Sequence, residues 1–563
     1  MTVDPTQLAA IVGDGFTDYQ RRRRAITARA HARFESRDWH GARRDALERI
    51  DAYGVSLDAT INLLSDYGFS TDVHRTQWED AKSAFRERFL TSPFASIAET
   101  YFNSLARKMF TTEGIDAHLE FLDDPPVDVT DWPSITTDYD TSVGPTEWLA
   151  AIARDCRFHV SWMDLTSDIR SVVERLPFEP DVVEVVARRF YRGEAAYVVG
   201  AISKGDERVP FALAVRHGPS GIRIAALLVG EEDVSILFSY TRAAFRVASR
   251  SPGALVEFLS GLLPHRPDAE LWAAIGFRKQ AKSERFRDLM RYLDESDDRF
   301  STAQGVKGLV MIVFTLPGYD IVFKVIRDRF PRQKTVTRTQ VADRYQFVAR
   351  HDRAGRLVEA QRFEALSLPV DRFDPGLLEE LVKDASRTVT VDKDRVAFTT
   401  VYLERRVTPL DIHVRRSDVD EAKRAIIDYG TAIKNLAASN IFPGDMLLKN
   451  FGVTSRGRVV FYDYDELTEI TKCRFRSFPV SDDPDDEMAD TPSYGIGPND
   501  IFPEELPRFL GLNDDLRAAF DEQHADLFTP DFWTDVQRRI ESGETIEILP
   551  YRRSRSLTEG LGS

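Results

Sequence analysis

Cysteine is almost absent from this chain: 563 residues carry two, Cys156 and Cys473. Two thiols so far apart make neither a disulfide framework nor a zinc ligand set, so both are expected as incidental, apolar-packed thiols. Long apolar runs are missing too, and no stretch approaches the 18 residues that a membrane helix requires. Met1 to Gln20 lacks the basic-then-apolar pattern of a secretory signal, which leaves the cytoplasm as the default compartment. Positive charge is in deficit. The formal net charge is −16, and such a field repels nucleic acid. The one basic run, Arg21-Arg22-Arg23-Arg24, reads as the solvated face of a helix.

What remains is ordinary globular material, 42% hydrophobic and 29% charged, at a length that predicts two domains. Residues 1 to about 120 space their apolar residues near the helical period. Residues 120 to 145, rich in Asp, Pro and Thr, read as an exposed connector. Tyr197 to Ile202, Phe211 to Val215 and Ile222 to Val229 read as strands, with turns at Lys204-Gly205-Asp206 and Gly218-Pro219-Ser220-Gly221. Residues 254 to 297 return to helix. A hairpin is expected over Gly305 to Ile326, helices over 338 to 366 and 376 to 386, a strand over Val396 to Glu404, a helix over 417 to 439 and a second hairpin over Leu447 to Tyr464. The fold class is therefore α+β: a helix-rich domain with some strands (1–302), then a β-rich start, helices and an acid-bearing hairpin (303–563), the order of a bilobal protein-kinase-like domain.

Four segments of the second domain carry chemistry suited to phosphoryl transfer from Mg-ATP, which needs cations on the triphosphate and a carboxylate on the acceptor. Lys324 lies in the apolar strand Val322 to Ile326, as a phosphate-binding lysine does. Ala303-Gln304-Gly305-Val306-Lys307-Gly308-Leu309 offers two glycines whose backbone approaches phosphate closely. Asp445 and Asn450 reproduce the Asp-x-x-x-x-Asn spacing of a catalytic loop, with Lys449 between them to offset charge. In Val459 to Glu466, a strand would deliver Asp463 and Asp465 on one face, where a kinase has its metal-binding Asp-Phe-Gly. A carboxylate should pair with the buried lysine, and Asp343, Glu359 and Glu364 are the candidates.

These residues, with Phe314 to Asp320, Tyr402 to Arg406, Ile441 to Thr454 and, in the first half, Arg33-Phe34-Glu35, Asp38-Trp39-His40 and Phe190-Tyr191-Arg192, resemble the bacterial isocitrate dehydrogenase kinase/phosphatase family over nearly the whole chain. The resemblance implies a bifunctional enzyme. It phosphorylates a serine of isocitrate dehydrogenase and removes that phosphate in a reaction needing Mg²⁺ and ATP or ADP. Flux is thereby set between the citric acid cycle and the glyoxylate bypass. It also implies a regulatory first domain with AMP as effector near the domain junction, and a substrate-recognition loop over 473–511. By motif, Ala303 to Leu309 and Lys324 would bind ATP, with backbone near Tyr402 to Arg405 on the adenine. Asp445 would be the catalytic acid-base, assisted by Lys449 and Asn450, while Asn450 and Asp463 would hold Mg²⁺. Asp465 would serve the phosphatase half-reaction. Glu359 stands where the family has an aspartate needed for that half-reaction, one methylene longer. Two other readings fit parts of the pattern: a small-molecule phosphotransferase, because Gly444-Asp445 with Asn450 also suits aminoglycoside-kinase-like loops, and a nucleotide-sensing pseudokinase.

Overall fold

The computed structural model describes the chain apart from residues 1–3, 70–73, 111–115, 124–133, 240–243, 306–307, 333, 335, 352, 478–496, 498 and 558–563. Val306, Lys307 and most of the 473–511 loop therefore lie outside the described residues. Contacts divide the chain into two units. One is Met1–Ser296 with Ala365–Ser367 and Leu549–Ser563; the other is Asp297–Glu364 with Leu368–Ile548. The terminal segment Leu549–Ser563, grouped by sequence with the second domain, thus clusters with the first.

The first unit opens with helices Pro5–Glu35, Trp39–Asp66, Arg75–Phe89 and Ala95–Phe110. In the first of these, Leu8, Val12, Phe16, Tyr19, Ile26, Ala30 and Phe34 recur at three-, four- and seven-residue steps and are buried, so one stripe faces the core. Asp4 caps its start by accepting from Thr6 N at 3.1 Å. Arg21 and Arg22 pair with Asp18 at the surface, as expected of a solvated face. Arg23 corrects that reading: it is buried, donates to the Ile275 carbonyl at 3.1 Å and lies 3.4 Å over the Phe277 ring.

An antiparallel sheet follows, in the order Thr136–Tyr139, Val182–Val186, Ala195–Lys204, Glu207–Gly218, Gly221–Val229, with Phe190–Arg192 paired to Ala195–Lys204. Its central strands are buried on both faces because alternate residues enter different cores: Tyr197, Val199 and Ala201 one, Val198 and Ile202 the other. The edge strand Thr136–Tyr139 falls where a connector was expected; its register against Val182–Val186 supplies the order.

The second unit begins with an antiparallel sheet in the order Ala360–Pro369, Arg395–Arg405, Ile321–Ile326, Met311–Thr315, Ser301–Thr302. The helix expected over 338–366 ends at His351, and the chain resumes as the strand Ala360–Pro369. Its start is a reciprocal cap: Thr337 N donates to Gln340 Oε1 and Gln340 N to Thr337 Oγ1. Beyond its end, Gly355 takes a left-handed φ of 59°, a conformation that does not continue a helix. The helix Val419–Ala438 buries Ala422, Ile426, Tyr429, Ile433 and Leu436 and leads directly into the loop that carries Asp445.

Candidate active site

Lys324 is 6% exposed. Its ammonium lies 2.7 Å from Glu404 Oε2 and donates to the Tyr462 carbonyl at 3.0 Å. A buried ammonium without a counter-charge loses several kcal/mol of solvation, and Glu404, 1% exposed, supplies it. Burial pushes the Glu404 carboxyl up, and Lys324 pulls against that rise. Asp343, Glu359 and Glu364 were the sequence candidates for this role. The partner instead comes from the neighbouring strand, where Tyr402 is directly opposite Lys324. Glu404 was legible only as an acid ending the apolar run Val401-Tyr402-Leu403.

The same register row crosses the sheet: Val313 pairs with Lys324, and Ala303 N donates to the Val313 carbonyl at 3.0 Å. The glycine-bearing segment therefore starts beside the lysine's row. Gln304 and Gly305 are exposed, Gly305 with φ 126°, and Leu309 is 48% exposed. Gly308 is held by Arg327, whose Nε donates to its carbonyl at 3.0 Å while the guanidinium pairs with Glu380 and Asp384.

The loop that follows the helix Val419–Ala438 is anchored at both ends. Phe442 and Thr468 exchange backbone hydrogen bonds at 2.8 and 3.0 Å. Gly444 has φ 83°, and a Cβ there would meet the Glu466 carbonyl at 2.5 Å, so only glycine fits. Tyr429 donates its hydroxyl to the Met446 carbonyl. Asp445 is half-buried and accepts from Leu447 N at 3.0 Å, a local turn that fixes the carboxylate. Asn450 Nδ2 donates to the Asp445 carbonyl at 3.2 Å, leaving its Oδ1 as an acceptor. Tyr462 N donates to the Asn450 carbonyl at 3.2 Å. The Tyr462 main chain thus bridges Lys324 and Asn450 one residue before Asp463. Lys449 is exposed; its carbonyl accepts the Tyr462 hydroxyl.

The acids are not on a strand as expected. The strand ends at Phe461, and Asp463 and Asp465 occupy the turn beyond it, half-buried and buried respectively. Burial pushes the Asp463 carboxyl up, Lys324 and Lys334 oppose the rise, and the charges of Asp445 and Glu466 add to it. Asp465 is pushed up to about 7, first by burial and then by Asp463. Lys334 pairs with Glu466 at 2.7 Å, and Asp465 and Glu466 both act on the Arg344 guanidinium, which burial makes less basic. Sequence reasoning named neither Lys334 nor Arg344, because the lysine is in no regular element and the arginine is one of many on an amphipathic helix. Two adjoining carboxyls and an amide oxygen, starved of solvent, are a donor set that fits a hard divalent cation.

Glu359 is positioned by the segment before it. Phe461 N donates to the Arg356 carbonyl at 2.7 Å and Val358 N to the Phe461 carbonyl at 3.1 Å. The Tyr464 hydroxyl donates to the Val358 carbonyl. Arg356, 3% exposed, braces this segment by pairing with Asp428 through both nitrogens at 2.7 Å. Burial pushes the Asp428 carboxyl up, but Arg356, with Arg458 and the Val459 N–H, holds the group below the usual range. Half-buried Glu359 therefore follows a strap hydrogen-bonded to the start of the Asp463 turn.

The two halves of the chain each match a family model. Residues 298–553 match one described as "Isocitrate dehydrogenase kinase/phosphatase (AceK) kinase domain", and residues 9–297 match the regulatory domain of the same description. A protein of Anaeromyxobacter dehalogenans (strain 2CP-C), named isocitrate dehydrogenase kinase/phosphatase, is 44% identical over 574 residues, spanning 98% of this chain and 97% of its own. A protein of the same name from Anaeromyxobacter sp. (strain Fw109-5) is 42% identical over 566 residues, spanning 98% of each.

Proposed function

Because the chain belongs to the isocitrate dehydrogenase kinase/phosphatase family, we infer that its second unit performs both reactions of that name. The protein phosphorylates isocitrate dehydrogenase and removes the phosphate again, setting flux between the citric acid cycle and the glyoxylate bypass. The observation that carries the assignment of residues is the Lys324 cluster. A buried lysine, tied to Glu404 and to the Tyr462 carbonyl, is linked through the Tyr462 peptide to Asn450 and Asp463.

In this reading Lys324, held rigid by Glu404, contributes a fixed positive charge at the ATP phosphates, while Ala303 to Leu309 cover them. Backbone groups of Tyr402 to Arg405 take the adenine. Asp445 accepts the serine hydroxyl proton, its orientation set by Leu447 N. Lys449 offsets charge on the transferring group. Asn450 Oδ1 and Asp463 would hold Mg²⁺, which when bound neutralises the triphosphate. In the reverse direction Asp465 and Glu359 orient and deprotonate water. The raised carboxyl of Asp465, near 7, supports a role as base, since a catalytic base is most effective close to the operating pH. AMP as an effector of the first unit, and a cytoplasmic location, belong to the same reading. Among the described residues no helix is long and apolar enough to cross a membrane.

The test mixes purified protein with ATP labelled at the γ-phosphate, Mg²⁺ and isocitrate dehydrogenase. Label should appear on a dehydrogenase serine as activity falls, not appear with Asp445→Ala, and be released when ADP is added. Nucleotide binding without transfer to the dehydrogenase would overturn the assignment in favour of a pseudokinase.

A further inference from the structure

One cluster in the first unit takes no part in phosphoryl transfer. His31 and Glu35 stand four residues apart at the end of the helix Pro5–Glu35 and so share a face. His31 Nε2 is 3.2 Å from Glu35 Oε1. His159 follows the helix Pro145–Asp155 and meets the same carboxylate. Its Nδ1 is 3.2 Å from Oε1 and 3.3 Å from Oε2, and its main-chain N donates to Oε1 at 2.6 Å. Ligand atoms of all three side chains lie within 4.8 Å of one another.

We propose that His31, Glu35 and His159 bind a divalent transition ion of the zinc class. Zn–N and Zn–O bonds of about 2.0–2.2 Å give a tetrahedral edge of roughly 3.4 Å, and the carboxylate oxygen already stands 3.2 Å from each ring nitrogen. His31 is oriented for the task. Its other nitrogen, Nδ1, is 2.7 Å from the Tyr191 hydroxyl, and its ring stacks on Phe158 with centroids 5.4 Å apart. An Nδ1–H donating to Tyr191 turns the Nε2 lone pair toward Glu35, the outer-partner arrangement that fixes metal-bound histidines. The donors are two imidazoles and one carboxylate, a set that suits Zn²⁺, Ni²⁺ or Cu²⁺ and not Mg²⁺. The side chain of His159 is 85% exposed, so solvent reaches the remaining coordination position. Binding releases any proton shared between the rings and Glu35. The ion would clasp the end of the first helix to a segment 124 positions further along the chain.

The experiment is a calorimetric titration of EDTA-stripped full-length protein with ZnCl₂, with excess Mg²⁺ present to occupy oxygen-donor sites. Wild type and Asp463→Asn should each take up one Zn²⁺ with matching affinity. His159→Ala should weaken that uptake at least tenfold, and Tyr191→Phe should weaken it by about tenfold through the His31 ring. Because His159 is exposed, its variant keeps the fold, and an unchanged thermal midpoint without metal checks this. Absence of uptake, or uptake unaffected by His159→Ala, would overturn the proposal and leave the three residues as a hydrogen-bonded cluster only.

Discussion

Lys324 Nζ and Glu404 Oε2 lie 2.7 Å apart on neighbouring antiparallel strands, each side chain less than a tenth exposed. Tyr402 is opposite Lys324 and Glu404 opposite Val322, so the acid reaches the lysine diagonally on one face. Removing either member leaves the other buried and charged, at a cost of about 3–5 kcal/mol. Glu404→Ala should therefore lower the urea midpoint sharply. A Lys324→Met, Glu404→Leu double variant should recover most of that stability yet transfer no phosphate. If the double variant were as unstable as the single ones, packing and not charge would explain the loss.

Gly444 is fixed in the loop by its backbone conformation and by a close approach. Its φ of 83° and the 2.5 Å approach of a notional Cβ to the Glu466 carbonyl make Gly444→Ala costly by about 1–3 kcal/mol. The displaced Asp445 should reduce kcat while the KM for ATP, which the proposed function assigns to Lys324 and the glycine segment, stays within about twofold. Steady-state kinetics separate the two parameters.

Much of this site was legible in sequence because it is local. The Asp445 to Asn450 spacing is one turn of loop, and Lys324 is marked by the apolar strand around it. The partner of Lys324 was not legible, since it depends on which residues of two strands 80 positions apart come into register. Apolar spacing continues past Gly355 and extends the expected helix to 366, because the left-handed backbone at that glycine is invisible to periodicity. Alternation puts Asp463 and Asp465 on one face of a strand. A turn brings them together instead, an outcome alternation cannot anticipate.

Arg356 and Asp428 should behave as a second buried pair. Asp428→Asn strips the counter-charge from a guanidinium that is 3% exposed, so a loss of about 3–5 kcal/mol is expected in chemical denaturation. The Val459 N that donates to Asp428 at 2.7 Å loses its charged acceptor as well.

In the proposed function Glu359 is what distinguishes the two reactions. Glu359→Gln should abolish release of phosphate from the phosphorylated dehydrogenase while leaving the forward transfer within about twofold, because only the former needs the carboxylate on water. Glu359→Asp should raise the phosphatase-to-kinase ratio by shortening the side chain one methylene. Equal loss of both activities in Glu359→Gln would assign the residue to the fold of the strap instead.

Asp465 sets a pH dependence that can be read without substrate. In metal-free protein its carboxyl titrates near 7, whereas in the unfolded chain it titrates near 3.9. Between about pH 4 and pH 7 the native state thus holds a proton that the unfolded state has released, and the contribution of this group to stability falls as pH rises through that window. Above 7 both states are ionised and the slope from this group vanishes. Asp465→Asn, which has no proton to lose, should flatten the decline in urea midpoints measured from pH 5 to pH 8 in EDTA. Adding Mg²⁺ at pH 8 should then stabilise wild type more than Asp465→Asn, since only the former recovers the work of ionising a second carboxyl beside Asp463. A wild-type stability that rises from pH 5 to pH 8 as steeply as that of the variant would mean that Asp465 is ionised throughout, and would remove it as the base for water.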